Sequence, residues 1–505
     1  MAPTELSPEQ EIAAFEKLKP KLELLWNALS AREEESPYTS VVIPSLTLDQ
    51  EELAKLEAAS FYEERLLFLL IRLRNPHARM VYVTSQPVHP LILEYYFQFL
   101  AGIPASHARA RLTLLCVYDS SPRSLTEKIL QRPRVVERIR AGIPDPSRAY
   151  LTVFNSTPLE RRLAVLLGIP LNGVDPALSA LGTKSGSRRV FREAGVPMPE
   201  GIEDLRSRED LVEGLEELRG RRPGIRRAIV KFEDSFSGEG NAVYRYPQTS
   251  RKKPIGKSLR PLLPAVPSET SESYLKKFAA QGGIVEEFLE RPQRASPSVQ
   301  LRIDPHGEVV LLSTHDQILG GPSGQVYLGC RFPADEPYRR GIQEAGRRIG
   351  AVLAKRGVVS RFGVDFFVGR TDGHGNAWEL FALEINLRMG GTTHPYLALQ
   401  FLTGGRLDSE SGAFLSPGGH PKFYRSTDNL QAEAYRGLCP EDLIDITTMN
   451  RLHYSHATET GVLFHMIGAL SQYGKVGLTA IGNNPEQAEG IYATALETLD
   501  HEARR

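Results

Sequence analysis

The stretch EINLRMGGTTHP, Glu384 to Pro395, sets Glu384, Asn386 and Arg388 at alternate positions and then breaks into Gly-Gly-Thr-Thr-His. A strand sends every second side chain to the same face, so a carboxylate, an amide and a guanidinium share one surface. A strand that only packs has no use for that. Upstream, RFGVDFFVGR (361–370) is a second apolar strand, and TDGHGN (371–376) between the two is a hairpin connection. With the turn centred on His374 and Gly375, Asp365 and Glu384 stand opposite each other, at a Cβ separation of about 4.5–5.5 Å. Two carboxylates that close repel unless they share a proton or a cation. Asn386, one pleat along, adds a neutral oxygen, and an all-oxygen set suits Mg²⁺ or Mn²⁺. The alternative is a bulge that shifts the register and turns Asp365 to solvent.

Mg²⁺ usually takes one or two carboxylates together with substrate phosphates, which directs the search to phosphate binders. Lys184, in GTKSGSRR, opens a helical pattern, where free backbone N–H groups favour anions. Lys231 ends the strand AIVKF and leads into EDSFSGEGN, where Gly238 and Gly240 permit a turn whose N–H groups wrap a phosphate. By itself that G-x-G is an ordinary hairpin turn. GIVEEFLE (283–290) is an apolar strand running into paired acids. It is either a plain strand end or a segment that offers backbone groups to an adenine edge while Phe288 and Leu289 pack its faces.

The 505 residues are too many for one core, and 41% apolar with 24% charged is ordinary for a globular chain. Lys+Arg and Asp+Glu balance at 61 each, so no global field recruits nucleic acid or an anionic membrane. Cys116, Cys330 and Cys439 stand far apart without a CxxC pair and read as reduced thiols. The N-terminus lacks a signal peptide's basic start and apolar centre, and LLFLLI (66–71) is too short to span a bilayer. A cytoplasmic protein is expected.

The fold class expected is α/β, with α+β parts. Residues 1–75 read as an N-terminal helical region, and 76–180, with RMVYVTS, ARLTLLCVYD and RAYLTVFN as strands, as a parallel, Rossmann-like domain. Residues 181–403 form the next unit, and 404–505 a C-terminal extension, beginning in a Gly/Ser/Pro stretch and ending in a helix capped by Asn484 with Pro485 at its first position. The basic, Pro/Ser-rich segment 246–273 is either a solvated excursion or an anion-attracting flap.

Taken in order, these motifs resemble the ATP-grasp superfamily, the fold of biotin carboxylase, D-alanine–D-alanine ligase and glutathione synthetase. The likeness covers about residues 181–400, with the lid about 228–290. LGTKSGSRR, LLSTHDQILGGPSGQVYLGCRFPAD and GKVGLTAIG look like the pre-ATP-grasp-domain peptide ligases associated with pheganomycin-type natural products. This resemblance implies an ADP-forming carboxylate–amine ligase working through an acyl phosphate on small-molecule substrates, and a homodimer, as is common in the superfamily. It implies that Lys184 and Lys231 hold ATP phosphates under a 235–241 loop containing Ser237, Gly238 and Gly240. Glu286, Glu287, Phe288 and Leu289 would line the adenine, and Asp365, Glu384 and Asn386 would bind Mg²⁺, two ions by family habit. Arg388 would face the transferred phosphoryl group. Thr392, Thr393 and His394 would either orient a substrate or stabilise their loop. A rival reading is a nucleotide-binding protein without turnover, as in synapsin; intact lysines, metal ligands and Arg388 weigh against it.

Overall fold

The computed structural model describes all residues other than 1–5, 32–35, 49, 101, 235–239, 248–254, 256–258, 260–261, 267–268, 321–325, 371–376, 409–410 and 505. Its first layer is a five-stranded parallel sheet in the order Leu112–Cys116, Ala78–Thr84, Tyr38–Ile43, Ala149–Val153, Leu171–Asn172. The middle strand, YTSVVI, is buried on both faces: Val41 and Ile43 enter one apolar core and Val42 another. An α/β layer of this kind was expected, but its central strand lies within residues 1–75. The expected border at 75/76 therefore cuts the sheet, because one six-residue strand is enough to seed parallel pairing on both its edges.

A second, antiparallel sheet runs Gly201–Leu205, Gly283–Glu287, Arg227–Phe232, Asn241–Arg245, Leu262–Pro264. Helices Arg208–Arg221 and Ser271–Gln281 cover it through Leu211, Leu215, Tyr274 and Phe278. This small layer has its own core, and it starts well before residue 228. Half of the segment 246–273 lies outside the described residues, and the other half includes the edge strand Leu262–Pro264 and the start of helix Ser271–Gln281.

The third sheet has nine strands. Gln293–Ala295, Pro297–Ile303, Val309–Gly320, Val326–Phe332, Ser360–Arg370 and Glu379–Asn386 continue without interruption into Phe423–Gln431, Lys475–Gly482 and Gly461–His465. The expected border at 403/404 is thus crossed by backbone hydrogen bonds. The helix expected after Asn484 forms as Pro485–Glu502, with the Asn484 side chain accepting from the Gln487 N–H.

Period-two alternation explains how this sheet serves two purposes. On Ser360–Arg370, Phe362, Val364, Phe366 and Val368 are fully buried against helix Glu336–Lys355 and its neighbours, while Asp365 and Phe367 face a cavity on the other side. The helix lies close to the sheet because Gly346 and Gly350, about one turn apart, present no side chain; a Cβ at Gly346 would sit 2.7 Å from Val299 Cγ1. No helix among the described residues is long and apolar enough to cross a membrane.

Candidate active site

The cavity has a volume of about 850 Å³ and is walled by the second and third sheets. Lys184, Lys231, Glu286 to Leu289, Asp365, Glu384, Asn386, Arg388 and Thr392 all line it. The hairpin reading sets its chemical centre. Asp365 pairs with Glu384 and Gly363 with Asn386, in antiparallel register. A bulge exists, but it falls on the far side of this pair, between Asp365 and Phe366, and leaves the carboxylates opposed. The connecting residues 371–376 lie outside the described residues.

The two acids do not titrate alike. Burial, and then the Glu384 charge, raise Asp365 to about 7. Burial also opposes the charge of Glu384, but Lys184 beside it, with Arg388 and Lys231, outweighs that and holds it below the ordinary carboxylate range. Asp365 accepts from Gln317 Nε2 at 2.7 Å and from Asn386 Nδ2 at 3.0 Å.

Lys184 is the first residue of helix Lys184–Ala194, whose N-cap is Thr183. The Ser187 hydroxyl accepts from the Ile385 N–H at 3.1 Å, which pins this helix to the strand carrying Glu384. Lys184 Nζ then reaches Glu384 Oε1 at 2.8 Å. The N–H groups expected to be free for an anion are not. Thr183 Oγ1 takes that of Gly186, the Glu233 carboxylate that of Ser185, and the Glu233 carbonyl that of Lys184. Helix-end donors are satisfied within the chain, so only the lysine side chain faces the cavity.

Lys231 Nζ lies 2.6 Å from Glu286 Oε2, and Arg188 Nη1 lies 2.7 Å from Glu286 Oε1. Burial resists the charge on Glu286, 1% exposed, yet the two cations hold its carboxyl below the usual range. Its side chain is therefore committed to positioning Lys231. The N–H groups of Glu287 and Phe288 go to the carbonyls of Glu200 and Arg227, and the Arg227 guanidinium lies 4.2 Å from the Phe288 ring centre. Gly240 is not on the cavity wall; its carbonyl accepts from Phe232 N–H and Tyr274 OH. Ser237 and Gly238 lie outside the described residues.

Sequence comparison then decides the family. A model described as "IQCH-like, ATP-grasp" matches residues 176–252 and 267–410, and one described as "PGM1 C-terminal domain" matches 442–495. The chain is 33% identical over 469 residues to the L-propargylglycine–L-glutamate ligase of Streptantibioticus cattleyicolor, covering 91% of this chain and 94% of that protein. The chain belongs to the ATP-grasp ligases. It is 26% identical to IQ motif-containing protein H of Danio rerio over 397 residues, 69% of this chain but only 37% of that protein. The fold of this ATP-grasp ligase is also that of solved structures. A Campylobacter jejuni biotin carboxylase–β-γ-ATP complex superposes with a TM-score of 0.55 at 13% identity, over 93% of this chain and 95% of the other. The biotin carboxylase domain of the Hydrogenobacter thermophilus 2-oxoglutarate carboxylase, in complex with MgADP, gives 0.54 at 14% identity, over 91% and 89%. The expected α/β ATP-grasp fold and ADP-forming ligase class stand.

Of Thr392, Thr393 and His394, Thr392 borders the cavity of this ATP-grasp ligase, together with Gly390 and Gly391 before it. Thr393 Oγ1 accepts from the Gly390 N–H at 3.0 Å, a loop-closing role. His394, which burial lowers to about 4, packs with Nε2 3.1 Å from Asp428 Oδ1 and 3.0 Å from His465 Nε2. Sequence reasoning missed Arg188, Gln317, Arg65, Asp428 and Lys475. Arg188 was legible in part, since it lies four residues after Lys184 and so on the same helix face; the others carry no local pattern.

Proposed function

We propose that the ion pairs Lys184–Glu384 and Lys231–Glu286 are the resting arrangement of an ATP site, and that both lysines turn to the phosphates when ATP binds. The observation that carries this is the opposed pair Asp365 and Glu384, two half-buried acids of which one is held by Lys184 and the other is pushed to about 7. Two opposed carboxylates with an amide one pleat along offer an all-oxygen set that fits a hard divalent cation. Asp365, Glu384 and Asn386 would hold it, with the Asn386 amide presenting its oxygen instead of its nitrogen. Mg²⁺, or Mn²⁺ in its place, would neutralise phosphate charge and fix the direction of transfer; two ions are the family's habit. Solved relatives of the fold complexed with ADP, ATP analogues and MgADP support nucleotide and Mg²⁺ use.

The residues divide the remaining work. Glu286 and Arg188 hold Lys231 in place. Glu287, Phe288 and Leu289 would border the adenine, with Phe288 already stacked on one side by Arg227. The 235–241 loop would close over the phosphates. Arg388, half-buried beside both acids, would sit against the phosphoryl group in flight. In the reaction a substrate carboxylate oxygen bonds to the terminal phosphorus and ADP leaves. An amine nitrogen then bonds to the acyl carbon, phosphate leaves, and the amine gives up a proton. Positioning and charge neutralisation are what phosphoryl transfer asks of a protein, and no covalent nucleophile is required.

The test is mass spectrometry of products from ATP, Mg²⁺ and a mixed pool of amino acids and peptides. Amides, with ADP and phosphate in equal amounts, are expected. ATP bound without any ADP above background across the pool would favour a non-catalytic protein instead.

A further inference from the structure

Where the helical segment Ala59–Arg74 meets the third sheet, the cavity holds a second set of charges that the ATP site does not use. Arg65, 4% exposed, has its guanidinium carbon 4.5 Å from the ring centres of both Tyr62 and Phe154. This double stack fixes its plane. Its Nη1 lies 3.3 Å from Asp428 Oδ2 and its Nε donates to the Tyr62 carbonyl at 3.3 Å, but its Nη2 has no partner among the described residues. A buried guanidinium nitrogen without an acceptor is costly, and such groups are normally paired. Lys475, 5% exposed, donates to the Tyr62 hydroxyl at 2.9 Å and has no carboxylate within 4.0 Å among the described residues. Arg65, Lys475 and Asp428 all line the cavity.

The charges here do not cancel. Two cations face one anion, so one negative charge is missing. Asp428 is also only half occupied: His394 and His465 both crowd Oδ1, at 3.1 and 2.9 Å, while Oδ2 meets Arg65 alone. The site thus asks for a carboxylate at the cations and can accept a hydrogen bond from an ammonium at Asp428 Oδ2. Those two groups joined through one carbon are the head of an α-amino acid.

We propose that Arg65, Lys475 and Asp428 form the seat for the free α-carboxylate and α-amine of an amino-acid substrate. Calling it the acceptor's seat rests on the ligase reading above; the binding itself does not. Arg65 and Lys475 take the carboxylate. Asp428, steered by His394 and His465, takes the amine. A free carboxylate on the acceptor is then a condition of binding, and carboxamides are rejected because they leave the buried cations unpaired.

Thermal denaturation of the full chain tests this, with each of the twenty common L-amino acids, their carboxamides and their deaminated acids as probes, and separately with ATP and Mg²⁺. At least one amino acid should raise the midpoint where its carboxamide does not. Arg65→Gln should weaken that response by roughly 100-fold in apparent affinity while the ATP response persists. Lys475→Gln, a milder change if Arg65→Gln fails to fold, should weaken it by roughly tenfold. Asp428→Asn should abolish the preference for the amino acid over its deaminated acid. Carboxamides that stabilise as well as acids, no response to any amino acid, or a full response in Arg65→Gln would overturn the proposal. So would a stoichiometric metal ion lost in His465→Ala, since Asp428 would then be its ligand. A wild-type chain that ignores ATP but obeys the amino-acid pattern would sink the ATP-site reading and leave this one standing.

Discussion

Lys184 Nζ lies 2.8 Å from Glu384 Oε1, joining the first side chain of a helix to an acid 200 residues away. Glu384 is thereby kept ionised while Asp365, directly opposite, is pushed toward neutrality. An opposed acid pair in which a lysine holds one member ionised is the state expected before a divalent cation and a polyphosphate arrive together.

Glu384→Gln should lower ADP release by at least about 100-fold, as loss of an electrostatic partner in phosphoryl transfer does. The fold should survive, because losing the partner of Lys184 is offset by relief of the repulsion at Asp365. Circular dichroism and an ADP-coupled assay check both parts together. Near-normal turnover would remove Glu384 from the site.

Glu286→Gln should act on stability first. It leaves Arg188 and Lys231 buried with less opposing charge, a change of the kind that costs about 3–5 kcal/mol. Urea denaturation should show a lower midpoint with an unchanged slope. A midpoint equal to wild type would mean that Glu286 does not hold those cations.

Asp365 gives a pH prediction. Its value in the fold is about 7 against an ordinary 3.8, so folding favours its neutral form. That contribution is complete below pH 3.8 and fades as pH rises through about 7. The protein without nucleotide should lose stability across that window. Glu63 and Glu64, also raised to about 7 by burial, add to the slope. Asp365→Asn, neutral throughout, should flatten the slope in part and raise the midpoint near pH 8 while abolishing ADP release. An unchanged slope in thermal scans would mean that Asp365 is ionised in the fold.

These residues also mark what sequence could tell. The Asp365–Glu384 register was legible because both strands flank one short turn and a period of two does the rest. Lys184 was legible from its place at the start of a helical pattern. The use of Glu233 to fill that helix end was not, since it comes from a strand end 48 residues away. The central strand Tyr38–Ile43 escaped because its partners, Ala78–Thr84 and Ala149–Val153, lie far along the chain, and the segment around it reads as broken helix. Arg65 sits in an apolar helical run, and only the fold brings Phe154 and Asp428 to it.

Gly346→Ala should cost about 1–3 kcal/mol, because the new methyl would meet Val299 Cγ1 at 2.7 Å and force the helix off the sheet. Thermal denaturation reads it directly. A neutral result would mean that this contact yields freely.

The central claim is transfer of phosphate to a substrate carboxylate before the amine attacks. It is tested most directly by supplying amino acids labelled with heavy oxygen in their carboxylates and weighing the phosphate released. The account predicts one heavy oxygen in each phosphate, with ADP as the other product. Unlabelled phosphate, or AMP carrying the heavy oxygen with pyrophosphate as the other product, would contradict it.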